Sequence, residues 1–274
     1  MSYGSILVPV DELPEAESSL EAACRLAALF TAHLEGVAIV RPLPSAQRLR
    51  PRQSAMALMK KEWERDGVEA RAAARRFRER AAKAGVKDAI ATVVEGDRAA
   101  VLAARARTAD LVVLPRPSPE DLGVLGGHQV ESTLLGVGRP VLLVPAKPLP
   151  AGFPSKALVA WNGSRECARA LTDALPLLQK AKSVAVLTCG PSGTAGHGAD
   201  VVAHLARHGV GAEAIHAAVD DARVGDAIAA RARKLGADLV VMGAYGRSRL
   251  AEVILGGATR AALSQAPGAL LMAH

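Results

Sequence analysis

Three stretches of this 274-residue chain occur twice, in the same order. GSILVPVD (4–11) returns as KALVAWNGS (156–164). AARARTADLVVLP (103–115) returns as AARARKLGADLVVMG (229–243), and RPVLLVP (139–145) as PGALLMAH (267–274). Ordered recurrence along the whole length means two copies of one folding unit, not one motif used twice. The offset between copies shrinks by about twenty-five residues after the first match, so the first copy carries an insertion. It falls at 42–75, which reads as a Pro-rich turn followed by a long helix. AKPLPAGFPSK (146–156) holds three prolines and no periodicity, which makes it the linker. Two domains follow, 1–147 and 156–274.

Within each copy, short apolar runs rich in Val, Ile and Leu alternate with segments of helical period. SILVPVD, LEGVAIV, AIATVVEG, DLVVLP and PVLLVP are strands of the first copy. ALVAWN, SVAVLTC, AEAIHAAV, DLVVMG and ALLMAH are their counterparts, with helices around Leu171–Leu178, Val201–His208 and from Gly225. Strands that are hydrophobic almost throughout, alternating with helices, imply an α/β fold. Each copy is a doubly wound parallel sheet covered on both faces. Such sheets bind ligands at the carboxyl ends of their strands, where the strand order reverses. Aromatic residues are 3% of the chain, so Ala, Val and Leu must build the core. No run of eighteen apolar residues suggests a membrane span, and no basic-then-apolar leader is visible, so a cytoplasmic location is expected. Cys24, Cys167 and Cys189 are scattered without metal-ligand spacing.

The last copy ends in DLVVMGAYGRSRLAEVILGGATRAALSQAPGALLMAH. Met242 and Gly243 close a strand, Gly246 and Gly256 follow, and a helix opens at Gly257 with Thr259 in its first turn. Glycine lets the backbone approach a ligand closely, and the free N–H groups of a helix start favour an anion. A phosphate cradle is one reading. A tight turn with close helix–sheet packing and no ligand is the other.

These residues, with VAWNGSRECARALTDALPLL at the start of the same copy, resemble the universal stress protein family in its tandem, two-domain form. The likeness covers nearly the whole chain and is stronger in the second copy. It implies the adenine-nucleotide α-hydrolase-like fold and an internal pseudo-dimer that pairs through the fifth strands. Nucleotide-binding members carry G-x2-G-x9-G followed by Ser or Thr. Gly243, Gly246 and Gly256 match that spacing, while Gly257 replaces the hydroxyl residue. The family also uses an aspartate after the first strand. The second copy has Asn162 there, and the first copy keeps Asp11. The resemblance thus implies ATP or another adenine nucleotide, with Mg as its companion ion, held by Asn162, Met242, Gly243, Gly246, Gly256, Gly257 and Thr259. In the first copy Pro115 and Ser118 stand at the positions of Gly243 and Gly246, so that half is expected to be a structural partner without a site.

No Walker sequence, nucleophile elbow or catalytic constellation is present, so at most weak ATP hydrolysis is expected. His204 and His208 share a helix face but lack a third ligand nearby in sequence. A net charge of +7 permits anionic partners. The basic stretch at 70–85 has only Phe77 as an aromatic and no nucleic-acid signature, so no nucleic acid is expected. The expected function is a stress-response sensor or regulator with unnamed protein partners. A nucleotide-free scaffold is the alternative, and homodimerisation stays open.

Overall fold

The computed structural model describes residues 2–11, 14–43, 53–118, 132–190, 196–244 and 257–274. The first half runs β1 (Ser5–Pro9), α1 (Pro14–Phe30), β2 (His33–Val40), α2 (Gln53–Lys83), β3 (Ala89–Glu95), α3 (Arg98–Ala106), β4 (Leu111–Pro115) and β5 (Val141–Val144). The second runs β6 (Lys156–Trp161), α4 (Arg165–Leu178), β7 (Ser183–Gly190), α5 (Gly196–Arg207), β8 (Ala212–Ala218), α6 (Val224–Leu235), β9 (Leu239–Gly243), α7 (Gly257–Gln265) and β10 (Ala269–Ala273).

All ten strands form one sheet in the order β3-β2-β1-β4-β5-β10-β9-β6-β7-β8. Each half is parallel throughout, because every connection crosses back over a face of the sheet. The halves meet antiparallel, with Leu270 opposite Leu143, Leu271 opposite Leu142 and Met272 opposite Val141. The expected pairing of fifth strands is therefore the centre of the molecule. These leucines are 0–2% exposed, and each stabilises the seam by roughly 1.5–3 kcal/mol relative to exposure. Helices α1, α2, α4 and α5 cover one face, and α3, α6 and α7 the other.

Polar contacts reinforce the seam from both sides. Arg116, just past β4, donates to the carbonyls of Ala266 and Gly268 at 2.8 and 2.9 Å. Arg169 of α4 donates to Gly138 O at 2.7 Å and to His274 O at 3.0 Å. Each half thus supplies an arginine to the turn that leads into the other half's fifth strand. The Tyr3 hydroxyl donates to Asp173 O at 2.6 Å, also across the halves.

The repeat is visible in detail. Asp110 accepts from Gly4 N and Ser5 N, tying the start of β1 to the start of β4. Asp238 does the same for Ser155 N and Lys156 N at the start of β6. The insertion is also clear: α2 has 31 residues where α5 has 12. Its basic stretch is anchored by Phe77, fully buried against Gly36, where a Cβ would lie 2.8 Å from the ring. Helix α5 starts earlier than its apolar period suggests. Gly198 lies 3.4 Å from the Ala214 side chain as measured from an added Cβ, so its first turn rides directly on β8.

Candidate functional site

The order of strands reverses between β6 and β9. From β6 the chain crosses the first face through α4. From β9 it crosses the second face through α7. A crevice at the carboxyl ends of these two strands is the expected ligand position for such a sheet. The described residues around it are Asn162 to Cys167, Met242 to Ala244, and His274.

The turn after β6 is organised by its own side chains. Asn162 Oδ1 accepts from Ser164 N at 3.0 Å, and Gly163 takes φ +73, which favours glycine. Ser164 is the N-cap of α4, its hydroxyl accepting from Cys167 N at 3.2 Å. Asn162 remains exposed. Glu166 follows in the first turn, with only 9% of its side chain exposed. Its own backbone N–H holds its carboxyl below the usual range, helped by the Ser164 hydroxyl and by the charges of Arg165 and His274, against an opposing cost of burial. The amino terminus of α4 therefore already carries an anion of its own.

Gly243 sits where α4 presses on the end of β9. A Cβ there would lie 2.6 Å from Cys167 N, 2.7 Å from Glu166 C and 2.9 Å from Glu166 Cβ. Its φ is not among the left-handed ones, so space rather than conformation demands glycine. Gly243 N donates to Cys167 Sγ at 3.4 Å, and that thiol donates to Ala160 O at 3.4 Å. Ala244 N donates to Ala273 O at 2.9 Å, and His274 Nδ1 pairs with Ala244 O at 3.1 Å. The first two amides of the glycine turn are thus committed to helix and sheet. Gly246 and Gly256, with Tyr245 and the rest of 245–256, lie outside the described residues. Gly257 opens α7, and Thr259 in its first turn is 4% exposed. Met242 is buried on the second face.

Trp161 is half-buried and packs on the first-face core, so filling the core accounts for it. Cys167 is buried at the helix start. His204 and His208 pack as tilted rings with centroids 4.7 Å apart, and among the described residues no group of three His, Cys, Asp or Glu is placed to hold a metal. No helix there is long and apolar enough to cross a membrane.

The first half treats the same place differently. Asp11, the retained aspartate, is gripped by Arg98, which opens α3. Nη1 reaches Oδ1 at 3.1 Å and Nη2 reaches Oδ2 at 2.7 Å. The sequence reading does not single out Arg98, nor Glu166. The repeat alignment carries a signal for Arg98, since Val224 occupies its place in the second copy.

The family model of the universal stress protein family matches residues 2–145 and again 155–274. Among solved structures, a universal stress protein from Archaeoglobus fulgidus is similar at 15% identity and a TM-score of 0.78, covering 98% of this chain and 96% of that one. A universal stress protein described as putative, from Pseudomonas aeruginosa, covers 99% of this chain and 93% of its own length at 18% identity and a TM-score of 0.56. At these identities the likeness is one of fold. The comparison with curated proteins returned no match.

Proposed function

The chain belongs to the universal stress protein family, and from that premise we propose that its second half binds ATP or another adenine nucleotide at the β6–β9 crevice. In this reading the protein is a cytoplasmic sensor or regulator of a stress response, and the first half is its structural partner. The observation that carries the reading is one of placement. Gly243 ends β9 at the point of strand-order reversal, Gly246 and Gly256 follow at the family's spacing, and α7 starts at Gly257 on the far side.

The roles follow from what each group offers. The amino terminus of α4 is already filled by Glu166, so the phosphates go to the turn after β9 and to the start of α7. Asn162 offers a neutral amide for a ribose hydroxyl. Gly257 lacks the hydroxyl of the family pattern, a loss of about 1.5–3 kcal/mol against a charged acceptor, or roughly tenfold to a hundredfold in affinity. Mg would accompany the phosphates and neutralise part of their charge, keeping several waters of its own. Titration calorimetry of ATP into the purified protein, beside Gly246→Val, tests the reading. Heat in the parent and none in the variant is the expected result.

One observation favours a nucleotide-free interaction module instead: Gly243 N and Ala244 N are already engaged. Absence of ATP heat in parent and variant alike selects that alternative.

A further inference from the structure

The sheet ends in two strands with one neighbour each, β3 and β8, and the chain treats their open edges in opposite ways. Both have seven residues and pair without interruption, β3 with β2 and β8 with β7. On the β3 edge, Arg78 of α2 donates from Nη2 to Ala91 O at 2.9 Å. Ala91 therefore turns its backbone groups outward, and Arg78 occupies one of them. Arg78 follows Phe77 and Arg75 follows Ala74, both buried in the core. The side of α2 that looks over the edge thus lies one position past its core-facing residues. Along it stand Arg71, Arg75 and Arg78, all exposed. Charge on an edge keeps another strand from adding to it.

The β8 edge has no such row. The units β2-α2-β3 and β7-α5-β8 are parallel crossovers over the same face and share one handedness. The edge-facing side of α5 is therefore also one position past its core-facing residues. Those are Gly198, Val201 and Leu205, all buried, so the edge-facing row is Ala199, Val202 and Ala206. Ala199 and Ala206 are exposed and Val202 is half-buried. The opposite side of α5 leans toward α4, where Gln179 Nε2 donates to His208 O at 2.9 Å. Within β8, Thr188 Oγ1 of the neighbouring strand donates to Ile215 O at 3.4 Å, so Ile215 turns its backbone toward β7. The alternate residues Ala212, Ala214, His216 and Ala218 turn theirs outward. Among the described residues no side chain bonds to these outward groups. The strand has no proline and no bulge, and Glu213 is its only carboxylate.

We propose that a second copy of this chain adds to β8, strand against strand and antiparallel, about a two-fold axis through Ile215. Full overlap of Ala212–Ala218 with itself allows only that centre. Ala212 then meets Ala218 and Ala214 meets His216. Each pair is drawn from the outward residues, so each exchanges both backbone bonds. Glu213 meets Ala217, and no like charges stand opposite each other. The same axis sets α5 beside its copy, running the other way, alanine row to alanine row. Asp200 near the start of α5 and Arg207 at its end are both exposed, and each approaches the opposite charge on the other copy. The surface is complementary to itself, as a two-fold interface requires. With arginines over the β3 edge, addition closes at two chains, joining two ten-stranded sheets, and does not continue into a fibre. The β6–β9 crevice lies beyond β7 from this edge, so the proposal stands apart from the nucleotide reading.

Sedimentation velocity of the full chain across micromolar concentrations measures its mass. Ala206→Arg puts a guanidinium into the alanine row, as Arg78 stands beside β3. Ala214→Pro removes an outward N–H and leaves the ladder with β7 intact. Ala230→Arg, at an exposed position of α6 on the other face, controls for added charge. The parent and Ala230→Arg are expected at twice the chain's 28.3 kDa. Ala206→Arg and Ala214→Pro are expected to weaken the dimer by about tenfold or more. Ala206→Arg lies on the exposed surface, so its circular dichroism should match the parent's, and it keeps the test decisive if the proline variant fails to fold. Hydrogen exchange locates the seam: the amides of Ala214 and His216 should be slow in the parent and fast in Ala206→Arg. A parent that stays at 28.3 kDa throughout overturns the proposal and leaves the edge to an extended segment of a different protein. A dimer that Ala206→Arg leaves intact, with no change in those amides, overturns it as well, because the interface then lies elsewhere.

Discussion

Replacing Gly243 by alanine separates two reasons for having glycine at the end of β9. If the position is empty so that a ligand can approach, an added methyl costs binding and leaves stability alone. The geometry around Gly243 predicts the opposite order. The new Cβ would stand 2.6 Å from Cys167 N and 2.7 Å from Glu166 C, both backbone atoms of the first turn of α4. No rotamer change relieves a backbone contact. The helix start has to retreat by several tenths of an ångström, which stretches the bond from Gly243 N to Cys167 Sγ. Overpacking of this kind costs about 1–3 kcal/mol, a fall in Tm of roughly 3–10 °C for a chain of this size. The matched control is Gly211→Ala, where an added Cβ meets nothing within 4 Å and φ is not left-handed. It should stay within about 0.5 kcal/mol of the parent. Urea and thermal unfolding of the three proteins decide the matter. A Gly243→Ala protein as stable as Gly211→Ala refutes the packing account.

Arg169→Ala removes the hydrogen bond from α4 to Gly138 O across the seam together with the bond to His274 O within the second half, and should cost about 1–2 kcal/mol in urea unfolding. Asp173→Asn tests the cost of a carboxylate at the same seam. Burial raises the Asp173 carboxyl above its ordinary 3.8, against the lowering pull of Arg169 and Arg139, so the folded protein binds this proton more tightly than the unfolded chain does. The stability conferred by that proton is complete below about pH 3.8 and is lost as pH rises through the raised value. Asparagine should therefore be the more stable variant at pH 7, with the advantage shrinking as the pH is lowered toward 4. Thermal melts at several pH values measure this.

The architecture was legible because it depends on local period and on repetition. The apolar runs at 111–115 and 239–243 sit in equivalent buried strands, and the two fifth strands pair as the repeat requires. What was not legible depends on contacts far apart in the chain. Gly243 owes its identity to residues 166 and 167, and Asp11 is bound by an arginine 87 positions away. Neither partner announces itself by spacing. Trp161 is an intermediate case. Strand alternation places it with Ala157 and Val159 on the first face, so its packing there could be counted from the sequence. The start of α5 escaped the apolar period because glycines, which carry no hydrophobic signal, make its first turn.

The antiparallel join of β5 to β10 lies within a single polypeptide. In a dimer of identical subunits any substitution appears twice, and a change that closes one mouth closes both. A covalent tandem is released from that constraint. One moiety can specialise in occupancy while its sibling, facing the opposite rim of a shared ribbon, accumulates changes that serve only rigidity.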